Sequence, residues 1–144
     1  MMKLTILFLS TLLVASQARQ WSRCEIAYGR NIDTFLKEIC FFFEGVCTAE
    51  AESSRRTEAL GGPNSDGTYD HGMFQVNDNY WCSTSSVPGK DCNVRCDSLR
   101  DDNLTDDVAC IRLIYNRHGF DAWYGWQARC RGQDVSQYLI GCGV

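Results

Sequence analysis

The fold of this chain is decided by the stretch Asp70-His71-Gly72-Met73-Phe74-Gln75-Val76-Asn77 and the segment before it. That segment, Gly61-Gly62-Pro63-Asn64-Ser65-Asp66-Gly67, is dense in turn-forming residues. We therefore predict a hairpin turn at 64–67 that opens a short strand over 68–77. The rest of the pattern is mainly helical. The expected class is α+β, with a mostly helical lobe, a small β-hairpin lobe and a cleft between them.

Helices are predicted on both sides of the hairpin. Residues 41–54 read as a helix on which Val46, Ala49 and Ser53 share one face, and Glu52 lies near its C-terminal end. A weaker helical pattern covers 24–31, where Gly29 is unfavourable.

After an irregular stretch at 83–100, Thr105 is predicted to cap a further helix. The buried stripe of that helix is predicted to consist of Val108, Ile111 and Tyr115. A last short helix is predicted over 122–129.

The N-terminus has the pattern of a secretory signal peptide. Lys3 precedes an apolar run over 4–15, and Ser16-Gln17-Ala18 supplies the small residues of a cleavage site. We predict a signal peptide at 1–18, a single mature domain at 19–144 and a secreted protein; a membrane anchor is the alternative. With 18 acidic and 14 basic residues, the chain is net acidic, which argues against nucleic-acid binding.

Nine cysteines in a secreted chain indicate a disulfide framework. Eight of them can form four bridges and one is left over, but eight cysteines allow about 105 pairings. The pair Cys92 and Cys96 is not a zinc knuckle, because no histidine lies at a suitable spacing.

Several segments together resemble the c-type lysozymes. They are Glu52-Ser53-Ser54, the 70–77 stretch quoted above, Tyr80-Trp81-Cys82 and Phe120-Asp121-Ala122-Trp123-Tyr124-Gly125-Trp126. The last segment is typical of insect members, and the resemblance covers 19–144. It implies the lysozyme fold with four disulfides: Cys24–Cys142, Cys47–Cys130, Cys82–Cys96 and Cys92–Cys110. Cys40 is then the odd cysteine, either an idle thiol or a reactive or intermolecular one.

The resemblance also implies a catalytic pair of carboxyl groups. Glu52 matches the general acid, which needs an apolar setting near Trp123 to stay protonated. Asp70 matches the nucleophile or stabiliser, and Gln75 and Asn77 are expected to hydrogen-bond near it. Glu50 lies two residues before Glu52 and is assigned to solvent.

Aromatic residues provide the candidate sugar-binding surface. Tyr80, Trp81 and Trp123 resemble the aromatic side chains that line the family's cleft, although core packing is the usual role of Trp in a small domain. Trp126 is assigned to the core. Together with Gln75 and Asn77, these three aromatics complete the predicted substrate-binding set.

An acidic loop runs from Cys96 to Cys110 and resembles the calcium loop of α-lactalbumins. The residues that match its ligands are Ser98, Asp101, Asn103, Asp106 and Asp107. Helix capping is the alternative explanation, but it accounts only for the last two aspartates. Asn103-Leu104-Thr105 is in addition a glycosylation sequon.

Three positions depart from the family pattern. Gly45 replaces a large aromatic residue, His71 replaces the aromatic after the catalytic Asp, and the loop before Asp70 is about one residue longer than usual. His71 either titrates beside Asp70 or only fills space.

The resemblance implies a secreted muramidase that hydrolyses β-1,4 bonds between N-acetylmuramic acid and N-acetylglucosamine in bacterial peptidoglycan. No cofactor is expected for catalysis, and a structural Ca²⁺ ion is expected in the acidic loop. The protein is expected to be a monomer that neither binds nucleic acid nor inserts into membranes. The alternatives are a non-catalytic glycan-binding protein and an α-lactalbumin-like regulatory protein, and the retained Glu52 and Asp70 argue against both.

Overall fold

The structure, a computed structural model, describes residues 20–28 and 42–142. The predicted signal peptide and Cys40 lie outside these ranges. The helices are α1 (Arg23–Tyr28), α2 (Phe42–Ser53), α3 (Leu104–His118) and α4 (Tyr124–Arg129). The strands are β1 (Leu60–Gly61), β2 (Asp70–His71), β3 (Val76–Asn77), β4 (Cys82–Ser83) and β5 (Val94–Arg95). Short 3-10 helices cover Cys96–Arg100, Gly119–Ala122 and Ser136–Leu139.

The hairpin lobe is a small antiparallel sheet in the order β1-β2-β3, in which Asp70 pairs with both Gly61 and Asn77. The prediction of one strand over 68–77 was wrong, because the chain reverses between β2 and β3. Gly72 and Gln75 adopt φ values of 75° and 48°, and the Gln75 amide donates to the Gly72 carbonyl. The turn has to begin with glycine, because a Cβ at position 72 would lie 1.7 Å from the Leu99 carbonyl oxygen.

Helix α3 begins two residues earlier than predicted. Asn103, rather than Thr105, is the N-cap, and its side chain accepts a hydrogen bond from the Thr105 amide. The fully buried apolar positions are Leu104, Cys110 and Ile114. The predicted stripe of Val108, Ile111 and Tyr115 packs against the edge of the core and is partly buried.

The core joins α2 to the hairpin and to α4. Val46 and Ala49 on the predicted face of α2 are buried with Met73 and Phe74 of the hairpin turn and with Trp123. The predicted helix over 122–129 is shorter than expected, because residue 122 belongs to the preceding 3-10 helix.

Three of the predicted disulfides are present: Cys47–Cys130, Cys82–Cys96 and Cys92–Cys110. They tie α2 to the end of α4 and the acidic loop to the segment around β4. Cys142 is also disulfide-bonded, whereas the side chain of Cys24, its predicted partner, lies outside the described set. In the described ranges, no helix combines the length and apolarity needed to cross a membrane.

Candidate active site

Glu52 lies in the last turn of α2. The helix ends directly after it, because Ser54 and Arg55 adopt left-handed φ values of 56° and 66°. Glu52 is half-buried and faces a cleft between the helical lobe and the hairpin lobe.

Glu50, on the same helix, was expected to be solvated, and this was wrong. Its carboxylate lies 2.6 Å from the Arg55 guanidinium and 3.6 Å from that of Arg23, and its side chain is only 27% exposed. Arg55 follows the end of α2 and Arg23 belongs to α1, so Glu50 connects α2 to these two segments, and it is not among the residues that line the cleft.

The environment of Glu52 favours its protonated form. Burial raises the pKa of this carboxyl above the ordinary Glu value, and the negative charge of Asp70 raises it further. The Gly125 amide opposes this rise by donating to Glu52 Oε1 at 2.7 Å. A Cβ at position 125 would lie 2.7 Å from the same oxygen, so a larger residue there would displace the Glu52 carboxyl. The result is a carboxyl group that is fixed in place and disposed to keep its proton.

Asp70 has the opposite surroundings. Asn77 Nδ2 donates to its Oδ1 at 2.9 Å, and Asn64 Nδ2 donates to its Oδ2 at 3.0 Å. Both amides also donate to Thr68 Oγ1, which connects them into one network. Each carboxylate oxygen of Asp70 is therefore held by an amide donor.

The sequence predicted Asn77 in this network but not Asn64 or Thr68. Gln75 does not donate to Asp70 as expected; its side chain donates to the Gly72 carbonyl at 2.9 Å and closes the turn. Thr68 lies two residues before Asp70, and residues two apart in an extended chain share a face. Asn64 gave no such signal, because it reaches Asp70 only through the turn at 64–67.

The cleft has a volume of about 530 Å³ and brings the predicted catalytic and substrate-binding side chains together. All seven line it: Glu52, Asp70, Gln75, Asn77, Tyr80, Trp81 and Trp123. Tyr124 also lines the cleft and is 84% exposed, and it was not predicted. The sequence shows an aromatic residue at position 124, but nothing in the sequence distinguishes it from an ordinary surface tyrosine.

The aromatic residues divide into exposed and buried groups. Tyr80 is 61% exposed at the cleft, and Trp81 is half-buried with its ring against the Arg117 guanidinium and the His118 ring. Trp123 is only 6% exposed, and its Nε1 donates to the Phe74 carbonyl at 2.9 Å. Trp123 therefore belongs to both the core and the cleft floor. Trp126, which was assigned to the core, is half-buried against it.

His71, one of the three departures, is buried on the far side of the sheet from Asp70. Its Nε2 lies 3.2 Å from Asp78 Oδ2, and its ring nitrogen lies close to the sulfur atoms of the Cys82–Cys96 bridge. Both sulfurs are consumed by the disulfide, so this group is not a metal site. At Gly45, an added Cβ would meet no described atom within 4 Å.

The acidic loop places two carboxylates in an unfavourable setting. Asp107 is 2% exposed, and Asp106 is half-buried beside it. Burial and the neighbouring charges of Asp106 and Asp101 raise the pKa of Asp107 well above the ordinary value, and burial and Asp101 raise that of Asp106. Asp106 Oδ1 and Asp107 Oδ2 are buried without a hydrogen-bond partner among the described residues. Two orphaned buried oxygens are what a hard cation such as Ca²⁺ would satisfy.

The match to a known family is decisive. Residues 19–142 match the model of the C-type lysozyme/alpha-lactalbumin family. The chain belongs to this family. Among the family's members, the lysozyme of Bombyx mori is 43% identical over 138 residues, which are 94% of this chain and 98% of the relative. Lysozyme c-1 of Anopheles gambiae is 37% identical over 120 residues, 83% of each chain.

Solved lysozyme structures agree with the fold. The crystal structure of lysozyme from Equus asinus aligns with a TM-score of 0.73 at 34% identity, covering 88% of this chain and all of that chain. Canine milk lysozyme aligns with a TM-score of 0.75 at 35% identity, with 88% of this chain covered. The predicted α+β lysozyme fold and the predicted family are therefore confirmed.

Proposed function

We propose that this protein is a secreted lysozyme that hydrolyses the β-1,4 bonds between N-acetylmuramic acid and N-acetylglucosamine in bacterial peptidoglycan. The observation that supports this best is the contrast between two carboxyl groups in one cleft. Glu52 has a raised pKa, whereas Asp70 has both oxygens held by amides. The acidic net charge of the chain provides no long-range attraction to an anionic wall, so recognition depends on the cleft.

In this proposal, Glu52 donates its proton to the leaving oxygen of the glycosidic bond. Asp70 attacks or stabilises the cationic sugar carbon from the other side, and Glu52 then takes a proton from the incoming water. Lysozyme is the standard example of this division of roles between two carboxyl groups. The reaction requires no cofactor, and configuration at the sugar carbon is retained.

The pH dependence of turnover tests the proposal. Because Glu52 must be protonated to act as an acid and its pKa is raised, kcat/KM should fall as pH rises through a value above the ordinary Glu pKa. We expect the mature protein to release reducing sugar from purified peptidoglycan, with an alkaline limb in that range. A folded protein that releases no reducing sugar at any pH would contradict the function. An active protein whose rate stays flat into the alkaline range would contradict the role of Glu52.

Substitution of Trp81 tests the proposed sugar-binding surface. Trp81 lines the cleft, and replacing it by Ala should weaken the binding of a soluble chitooligosaccharide about ten-fold, or about 1.4 kcal/mol. Trp81→Phe keeps an aromatic face and should retain most of the affinity, whereas Val87→Ala, at an exposed apolar residue outside the cleft lining, is the matched control. The measurement is a fluorescence titration. An unchanged dissociation constant for Trp81→Ala would exclude this residue from the binding surface.

We also propose that the acidic loop binds a structural Ca²⁺ ion. Asp101, Asp106 and Asp107 would supply carboxylate oxygens, and Ser98 and Asn103 would supply backbone carbonyls. The support is the pair of orphaned oxygens and the mutual repulsion of these carboxylates. Cleavage of the signal peptide after residue 18 and the monomeric state remain predictions.

A further inference from the structure

The sequon Asn103-Leu104-Thr105 has no part in the cleft, because none of its residues is among those that line it in the described chain. We propose that Asn103 is a glycosylation site and carries an N-linked oligosaccharide on its side-chain nitrogen. This inference rests on the secretory route of the proposed function, since the donor sugar is met only along that route.

In the side chain of Asn103, the oxygen Oδ1 caps the helix and the nitrogen Nδ2 is available for modification. Its Oδ1 accepts hydrogen bonds from the Thr105 amide at 3.3 Å and from the Thr105 hydroxyl at 2.8 Å, which caps α3. Its Nδ2 makes no hydrogen bond within the described ranges, and the residue is exposed. The atom that would be modified is therefore the atom that the fold leaves unused.

Glycosylation of Nδ2 leaves the N-cap hydrogen bonds of α3 intact. A bond forms between Nδ2 and the anomeric carbon of an oligosaccharide, while the bond from that carbon to the diphosphate of a lipid-linked donor breaks. Nδ2 loses one proton, and the diphosphate leaves with the bonding electron pair. The product is still an amide, so Oδ1 keeps its lone pairs and continues to accept from Thr105. The proposed calcium contact of this residue uses its backbone carbonyl, so both can be present together.

Because Leu104, the middle residue of the sequon, is buried in the folded protein, glycosylation has to precede the folding of α3. Leu104 is 6% exposed and packs in the core, and Cys110 in the same helix is bridged to Cys92. A transferase needs the sequon as an accessible, extended segment, which the folded helix does not offer. The sugar must therefore be added before α3 forms and the bridge closes.

The experiment is secretion of the full chain from insect cells, followed by peptide mass spectrometry. The wild type and Thr105→Ser, which retain the sequon, should carry an oligosaccharide on the 103 peptide, and enzymatic release should convert Asn103 to Asp. Thr105→Ala and Asn103→Ser should lose it completely. Ser can cap a helix as Asn does, so Asn103→Ser should keep the Tm of the enzymatically deglycosylated wild type, whereas Asn103→Ala should lower it.

The same peptide map identifies the N-terminus of the secreted protein. It therefore distinguishes a failure of glycosylation from a failure of secretion. A secreted, active protein whose 103 peptide is unmodified would overturn glycosylation and leave the proposed function intact. A protein retained in the cytosol without a sugar would overturn both glycosylation and secretion. A sugar that persists in Thr105→Ala would show that another residue carries it, which also overturns the assignment.

Discussion

Replacing Glu52 by Gln is expected to lower kcat/KM on peptidoglycan by about 10²- to 10⁴-fold. The amide has nearly the same shape, and its oxygen can still accept from the Gly125 amide, as Glu52 Oε1 does at 2.7 Å. It cannot supply a proton to the leaving oxygen. The loss should appear in kcat rather than in binding, and a chitooligosaccharide titration measures binding separately.

The same substitution should stabilise the folded protein at neutral pH. The pKa of Glu52 is raised in the fold, so its favourable contribution is present below the unfolded value and is lost as pH rises through the folded one. Gln cannot ionise, so the variant does not lose this stability as the pH rises. The Tm of Glu52→Gln should exceed that of the wild type at neutral pH and converge with it at low pH.

Glu50→Gln is the matched control on the same helix. It breaks the ion pair with Arg55 but leaves the cleft intact, so we expect lower stability with retained turnover. Glu52→Gln should therefore lose turnover and gain stability, whereas Glu50→Gln should keep turnover and lose stability. Retained turnover in a folded Glu52→Gln protein would contradict its role as the acid, and a neutral-pH Tm below that of the wild type would contradict the electrostatic account.

Asp107→Asn should abolish the stabilisation by calcium and invert the order of stability between the variant and the wild type. In the wild type, Ca²⁺ at one hundred times its dissociation constant should stabilise the fold by about 2.7 kcal/mol. With a chelator, the wild type keeps a buried carboxylate whose pKa burial, Asp106 and Asp101 have raised, which destabilises the fold at neutral pH. Removing this charge should make the variant more stable than the wild type in chelator and less stable in calcium.

Thermal unfolding in both conditions measures this reversal. Asp97→Asn is the control, because Asp97 lies in the same loop but its side chain is 74% exposed and paired with Arg95. Its response to calcium should match that of the wild type. A wild-type Tm that is the same in calcium and in chelator would contradict the site, as would a calcium response that survives in Asp107→Asn.

Much of the fold could be predicted because local patterns agreed with the tertiary structure. Val46, Ala49 and Ser53 were predicted to share one face of the helix, because helical periodicity places them together, and all three are buried. The three bridges followed from the resemblance, since spacing alone left the pairing open. The strand over 68–77 failed because Gly72 and Gln75 adopt left-handed backbone, which period-two alternation does not reveal.

The residues of the site could be predicted mainly at positions where the sequence matches the motifs of the family. Glu52 and Asp70 came from that pattern, and the cleft indeed brings them together. Asn64 and Gly125 were missed because their roles depend on hydrogen bonds to residues 6 and 73 positions away. The partners of Glu50 could not be predicted either, because Arg55 reaches it only after the left-handed turn that ends α2.

The Cys47–Cys130 bridge joins the two helices that together define the position of Glu52. One helix carries the acid, and the other begins next to the glycine that anchors it. In a reducing compartment this covalent link is absent, and the two halves of the anchor can separate. The proposed turnover of peptidoglycan should therefore depend on the oxidation of this bridge.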